Sequence, residues 1–198
     1  MFLLFHRSRS RGVGYSLLLV ASLTGCGYTP QSTLDALDKI GPNTPPEDMK
    51  IMVALPPGIL PQKGDVTLTL SKPASKTLRA ESHSFRLEHI PNGPDEIRTG
   101  QSANGFAYRI DRKDLPRFKA LVSKEDVSDN RDGDTDIDAD FCHISPEIPK
   151  HAVITVYLKT AELQNYVPLV KDMDVMKYLD PAERADFPRC TAENALIP

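Results

Sequence analysis

The sequence predicts a mainly β protein, an Ig-like β-sandwich of about six to seven strands with one or two short helices, over residues 51–198. Three observations support this. Apolar residues recur at every second position in several short runs, the spacing that puts one face of a strand in a core and the other in water. Asn92-Gly93 and Asn104-Gly105 stand between such runs as turn signals, at residue types that tolerate positive φ. No strand pattern alternates with long helical patterns, so a parallel α/β sheet is not expected.

In chain order, Ile51 to Leu55 (IMVAL) reads as a first strand closed by Pro56-Pro57. Asp65 to Ser71 alternates Val66, Leu68 and Leu70 against Thr67, Thr69 and Ser71. Ser84 to Ile90 sets Phe85, Leu87 and His89 against Arg86 and Glu88, and Phe106 to Ile110 puts Phe106, Tyr108 and Ile110 on one side. Asp114-Leu115-Pro116 predicts a helix with aspartate as cap and proline in the first turn, ending near Lys124, with Leu115, Phe118, Leu121 and Val122 on one face. His151 to Lys159 is the most strand-like stretch, with Ile154, Val156 and Leu158 as core. Pro168 confines Asn165 to Val170 to a sheet edge, because proline cannot donate to a ladder. Asp180-Pro181-Ala182-Glu183 is a capping pattern for a brief second helix.

Ahead of this domain the composition differs. Arg7, Arg9 and Arg11 precede an apolar run, Tyr15 to Leu23, and then small residues: the three-part plan of an export signal over residues 1–25. The run is nine residues, short of the ~20 that span hydrocarbon. Leu23-Thr24-Gly25-Cys26 resembles the lipobox of bacterial lipoproteins. That resemblance implies that the Cys26 thiol takes a diacylglycerol, that the peptide before it is cut, and that the new terminus is acylated. Gly27 in place of an aspartate implies sorting to the outer membrane. Several acyl chains anchor firmly, at ~0.8 kcal/mol per buried methylene. Residues 26–50 hold Pro30, Pro42, Pro45 and Pro46 with little apolar pattern, and read as a tether whose 24 residues after Cys26 reach at most ~80 Å.

Three of the 24 basic residues lie in the leader and no acid does, so the remaining 173 residues carry 21 basic against 27 acidic side chains, a formal charge of −6. That balance disfavours a nucleic-acid partner, which needs a basic stripe to release counterions. The absence of tryptophan disfavours a stacking platform. With Cys26 committed to lipid, Cys142 and Cys190 form an even remainder, which in an oxidising compartment predicts a disulfide closing a 49-residue loop, worth roughly 4 kcal/mol.

Candidate chemistry centres on Asp129 to Asp140 (DNRDGDTDIDAD), where oxygen ligands alternate around Gly133 as a Ca²⁺ loop requires. Asn130, Asp132, Asp134 and Asp136 are the candidate ligands. Against the EF-hand pattern both ends fail, with Ser128 at the first place and Ala139 at the twelfth. The alternation of Asp132, Asp134, Asp136, Asp138 and Asp140 equally describes one face of a solvated acidic strand. His83, His89, His143 and His151 show no zinc spacing. Ser102, within Gly100 to Gly105, does not fit a nucleophile elbow, and Cys142-His143 point to opposite faces if on a strand. No catalytic residue is assigned. The expectation is a non-enzymatic, outer-membrane-anchored periplasmic lipoprotein that binds or scaffolds envelope components, with an envelope protein as partner. A calcium-dependent domain and an unrecognised periplasmic hydrolase are the alternatives.

Overall fold

The computed structural model describes residues 18–20, 44–64, 66–72, 80–91, 104–124, 134–163 and 165–196. In chain order the strands are β1 (Leu18–Val20), β2 (Lys50–Leu55), β3 (Ile59–Pro61), β4 (Val66–Lys72), β5 (Glu81–Ile90), β6 (Asn104–Ile110), β7 (Asp134–Asp138), β8 (Phe141–His143), β9 (Val153–Lys159) and β10 (Val167–Asp174). Two helices, α1 (Leu115–Lys124) and α2 (Pro181–Ala185), complete the regular structure with short 3-10 turns at Pro46–Asp48 and Val175–Lys177.

Eight strands form one sheet in the order β1-β7-β4-β5-β6-β2-β9-β10, and β3 pairs with β8 in a second. All of these strand pairings are antiparallel. The expected mainly β, sandwich-like fold is therefore the one the chain adopts, with the strands divided eight to two. Ile59 of β3 and Phe141 of β8, which lies opposite Pro61, join the same buried cluster as the large sheet's inner face, so both sheets share one core.

Register builds that core from the alternation. Leu68 lies opposite Phe85, Leu87 opposite both Val66 and Ile110, Ile51 opposite Tyr108 and Leu158, and Val53 opposite Phe106 and Val156. Each of these side chains is buried, Phe85 fully so, as is Leu55 at the end of β2. At ~25 cal/mol per Å² of apolar surface, this stripe is the main stabilising element.

Four features differ from the sequence expectations. Asn104-Gly105 is not a turn: both residues lie in β6, opposite Leu55 and Ala54. Gly105 serves close packing, since a Cβ there would stand 3.0 Å from the Met52 sulfur. The run Ile51 to Leu55, in β2, is buried on both faces, with Met52 at 2% exposure on the side away from the core cluster. The three-residue strands β3 and β8 carried no legible alternation. Finally β1 falls within the predicted leader, and its backbone pairs with β7, Leu18 opposite Asp138, Leu19 opposite Ile137 and Val20 opposite Asp136.

The helix after β6 starts where Pro116 predicts. Asp114 sits just before it and uses its carboxylate to bind the sheet: Oδ2 accepts the Arg86 backbone N–H at 2.8 Å, and Oδ1 accepts from Arg117 at 3.0 Å. Arg117 also donates to the Ser84 carbonyl and lies 4.3 Å over the Phe85 ring, while Phe118 meets Phe85 edge-on at 4.9 Å. Asp180 forms the full capping box of α2: its Oδ1 accepts from the Ala182 and Glu183 N–H groups at 2.8 Å, and the Asp180 N–H donates to Glu183 Oε2 at 2.9 Å.

Candidate functional site

Within the acidic stretch, Asp134–Asp138 is a strand. Its backbone forms five consecutive pairs with β4, placing Asp138 opposite Thr67, Ile137 opposite Leu68 and Asp136 opposite Thr69. Ile137 thus packs against the core while Asp136 and Asp138 share the outer face with the β4 threonines. The next strand continues that face: Thr69 Oγ1 and Ser84 Oγ are 2.8 Å apart, and Arg86 is the β5 partner of Thr67. Asp136, Asp138 and Asp140 are half-buried, so the face is less solvated than a free acidic strand. Burial, and secondarily the charge of Asp140, push the Asp138 carboxyl above its ordinary pKa. Its Oδ1 is shielded and has no hydrogen-bond partner among the described residues.

Of the four candidate Ca²⁺ ligands, Asn130 and Asp132 lie outside the described residues, as do Ser128 and Gly133. Asp134 and Asp136 are in ladder positions of β7. Among the described residues, no group of three or more His, Cys, Asp or Glu side chains is arranged to hold a metal ion.

Cys142 and Cys190 are joined as expected, with S–S 2.09 Å and Cα atoms 5.0 Å apart. The bridge removes the Cys142 thiol from any nucleophilic role. It staples the C-terminal segment to the small sheet. The Cys190 N–H donates to the His143 carbonyl at 2.8 Å, the His143 N–H to the Pro188 carbonyl at 2.9 Å, and the Leu196 N–H to the Pro61 carbonyl at 2.8 Å. His143 is buried, its Nδ1 lies 2.9 Å from the Ser145 carbonyl, and it stacks on Phe187 at 5.9 Å.

The other described histidines are held separately. His83 Nε2 lies 3.7 Å from Glu81, and His89 packs edge-on against Tyr108 at 5.6 Å, where burial holds its pKa below the ordinary value. His151 Nδ1 lies 2.7 Å from Asp174 Oδ2, an acid-imidazole pair that sequence spacing did not reveal because 23 residues separate the partners. Asp174 also accepts the backbone N–H groups of Ala152 at 3.0 Å and Met176 at 3.3 Å, so it caps the Val175–Lys177 turn and ties it to β9. That is a structural assignment for the carboxylate. Ser102 and Cys26 lie outside the described residues. Comparison with known proteins finds no matching family model, no matching curated sequence and no matching solved structure.

Proposed function

We propose that this chain is a lipid-anchored protein of the bacterial envelope, held through Cys26 in the outer membrane and facing the periplasm, whose β domain binds or scaffolds other envelope components without catalysis. One observation carries the compartment: the Cys142–Cys190 disulfide. Structural disulfides persist where the surroundings are oxidising, and a secreted chain whose third cysteine is consumed by lipid leaves this pair to form. The basic, apolar and small-residue plan of residues 1–25 and the lipobox-like Leu23 to Cys26 support the anchor.

Binding is favoured by elimination and by placement. The acid-imidazole pair Asp174–His151 serves backbone capping, and the Cys142 sulfur is oxidised. A long proline-containing segment between anchor and domain lets the body reach partners away from the lipid surface. Fractionation and metabolic labelling test the reading. Labelled palmitate enters the wild-type protein and sediments with membranes, whereas Cys26→Ser takes up no label and leaves the membrane fraction; unchanged fractionation of that variant overturns the anchor. Cross-linking in intact cells should recover the same envelope partner repeatedly, and irreproducible recovery counts against the scaffold role.

A further inference from the structure

We infer that residues 144–153, which lead into the start of β9, are a self-association surface, where two copies of this chain meet about a twofold axis. The inference stands whether or not Cys26 carries lipid.

Among the described residues, the exposed large apolar side chains are Ile144 at 56%, Val153 at 43% and Ile148 at 36%, and all three fall inside this ten-residue stretch. Exposed apolar residues scattered singly are ordinary, whereas their concentration in one place marks a contact. The stretch is also pinned at both ends. Cys142 is bridged to Cys190 just before it, and the Ile144 N–H donates to the Gly58 carbonyl at 2.9 Å. At the other end, Asp174 holds His151 and the Ala152 N–H. Between them, Pro146 and Pro149 fix two φ angles, and the Glu147 N–H donates to Ser145 Oγ at 3.3 Å. A surface ordered in advance loses little freedom when it docks.

Charge specifies the occupant. Glu147 and Lys150 are exposed on the same stretch, and neither has an ion-pair partner among the described residues. In a twofold contact residue i meets j and j meets i, so one patch must carry both members of every pair. An axis passing between Ile148 and Pro149 sets Glu147 against Lys150 of the second copy, Ile148 against Pro149, and Ile144 against Val153. That one arrangement answers both charges and covers all three apolar side chains. An anionic lipid surface would answer Lys150 but repel Glu147. Placement leaves the contact clear of the segment that leads to Cys26. That segment arrives at the finish of β9, where Thr44 Oγ1 donates to Glu162 Oε1 at 2.7 Å, and the seven residues of β9 separate the two ends by about 20 Å.

The test uses the full chain extracted from membranes in mild detergent, with light scattering reading the protein mass of each particle over a dilution series. Glu147→Lys and Lys150→Glu should each weaken the dimer about tenfold, and the two together in one chain should restore it to within about threefold of wild type. Ile148→Asp should weaken it about a hundredfold. Should Ile148→Asp lose its melting transition, the charge pair and its restoration decide alone. A carbodiimide applied to an equal mixture of light-nitrogen and heavy-nitrogen protein should join Glu147 of one label to Lys150 of the other. One copy per particle at every concentration overturns the inference, whatever lipid or protein the stretch then meets. So does a dimer that ignores both charge changes, or a double exchange that fails to restore what the single ones lost. Mixed-label links elsewhere with none at Glu147 put the contact on another face and overturn it too.

Discussion

Asp174 Oδ2 lies 2.7 Å from Nδ1 of His151, and the aspartate is 5% exposed while the His151 side chain is 73% exposed. A buried acid thus reaches out to a solvated ring and, with its second oxygen, holds the Ala152 and Met176 N–H groups. Burial alone would raise its pKa, yet the Ala152 N–H, His151 and the Met176 N–H together bring the carboxyl below the ordinary value.

The sign of the pH effect follows. A depressed folded-state pKa adds stability above the unfolded aspartate value, and that stability is lost as pH falls through the folded pKa. Thermal melts between pH 7 and pH 2 should show a steeper acid loss in wild type than in Asp174→Asn. Asp174→Ala, which leaves buried N–H groups unpaired, should cost about 2–3 kcal/mol at neutral pH by denaturant unfolding.

Reduction of Cys142–Cys190 frees a loop of 49 residues. The expected loss is about 4 kcal/mol in the unfolding free energy of Cys142→Ala/Cys190→Ala relative to wild type. Amide exchange should then accelerate first at position 190 and at Leu196, whose N–H groups tie the C-terminal segment to the small sheet.

Gly105 faces the Met52 side chain so closely that valine there must overpack a buried sulfur. Gly105→Val should destabilise by about 1–3 kcal/mol, and Met52→Ala combined with it should recover part of that loss, a coupling visible in a double-mutant cycle.

Phe85 is fully buried between the sheet and α1, against Phe118 and beneath Arg117. Phe85→Ala should cost about 3–5 kcal/mol and loosen the helix with the sheet, whereas Arg117→Ala, on the exposed side, should cost about 1 kcal/mol or less.

The sequence was legible where burial is one-sided. Val66, Leu68 and Leu70 alternate because their other face carries Thr67, Thr69 and Ser71; Phe106, Tyr108 and Ile110 alternate with the small Gly105 and Ala107 and with Arg109; and the Asp180 capping box is local chemistry readable from four residues. The β2 run was legible as a strand, but not its burial on both faces, since a continuous apolar run has no period. The pairs β3 and β8 are three residues long, too short for a period to register, and Pro61 looks like a breaker. Asn104-Gly105 mimics a turn because glycine is wanted there for a different reason, space for Met52. The acidic stretch offered two patterns, loop and strand, and from Asp134 onward the pairing with β4 decides for the strand.

The central claim is that Cys26 is the lipidated first residue of the mature protein. Intact-mass and N-terminal peptide analysis of protein extracted from membranes tests it most directly. The account predicts a chain that starts at Cys26 and carries a diacylglyceryl group on sulfur and an acyl group on its α-amine, with the Cys142–Cys190 bridge intact. A chain that retains Met1 to Gly25, or that carries an unmodified Cys26, contradicts it.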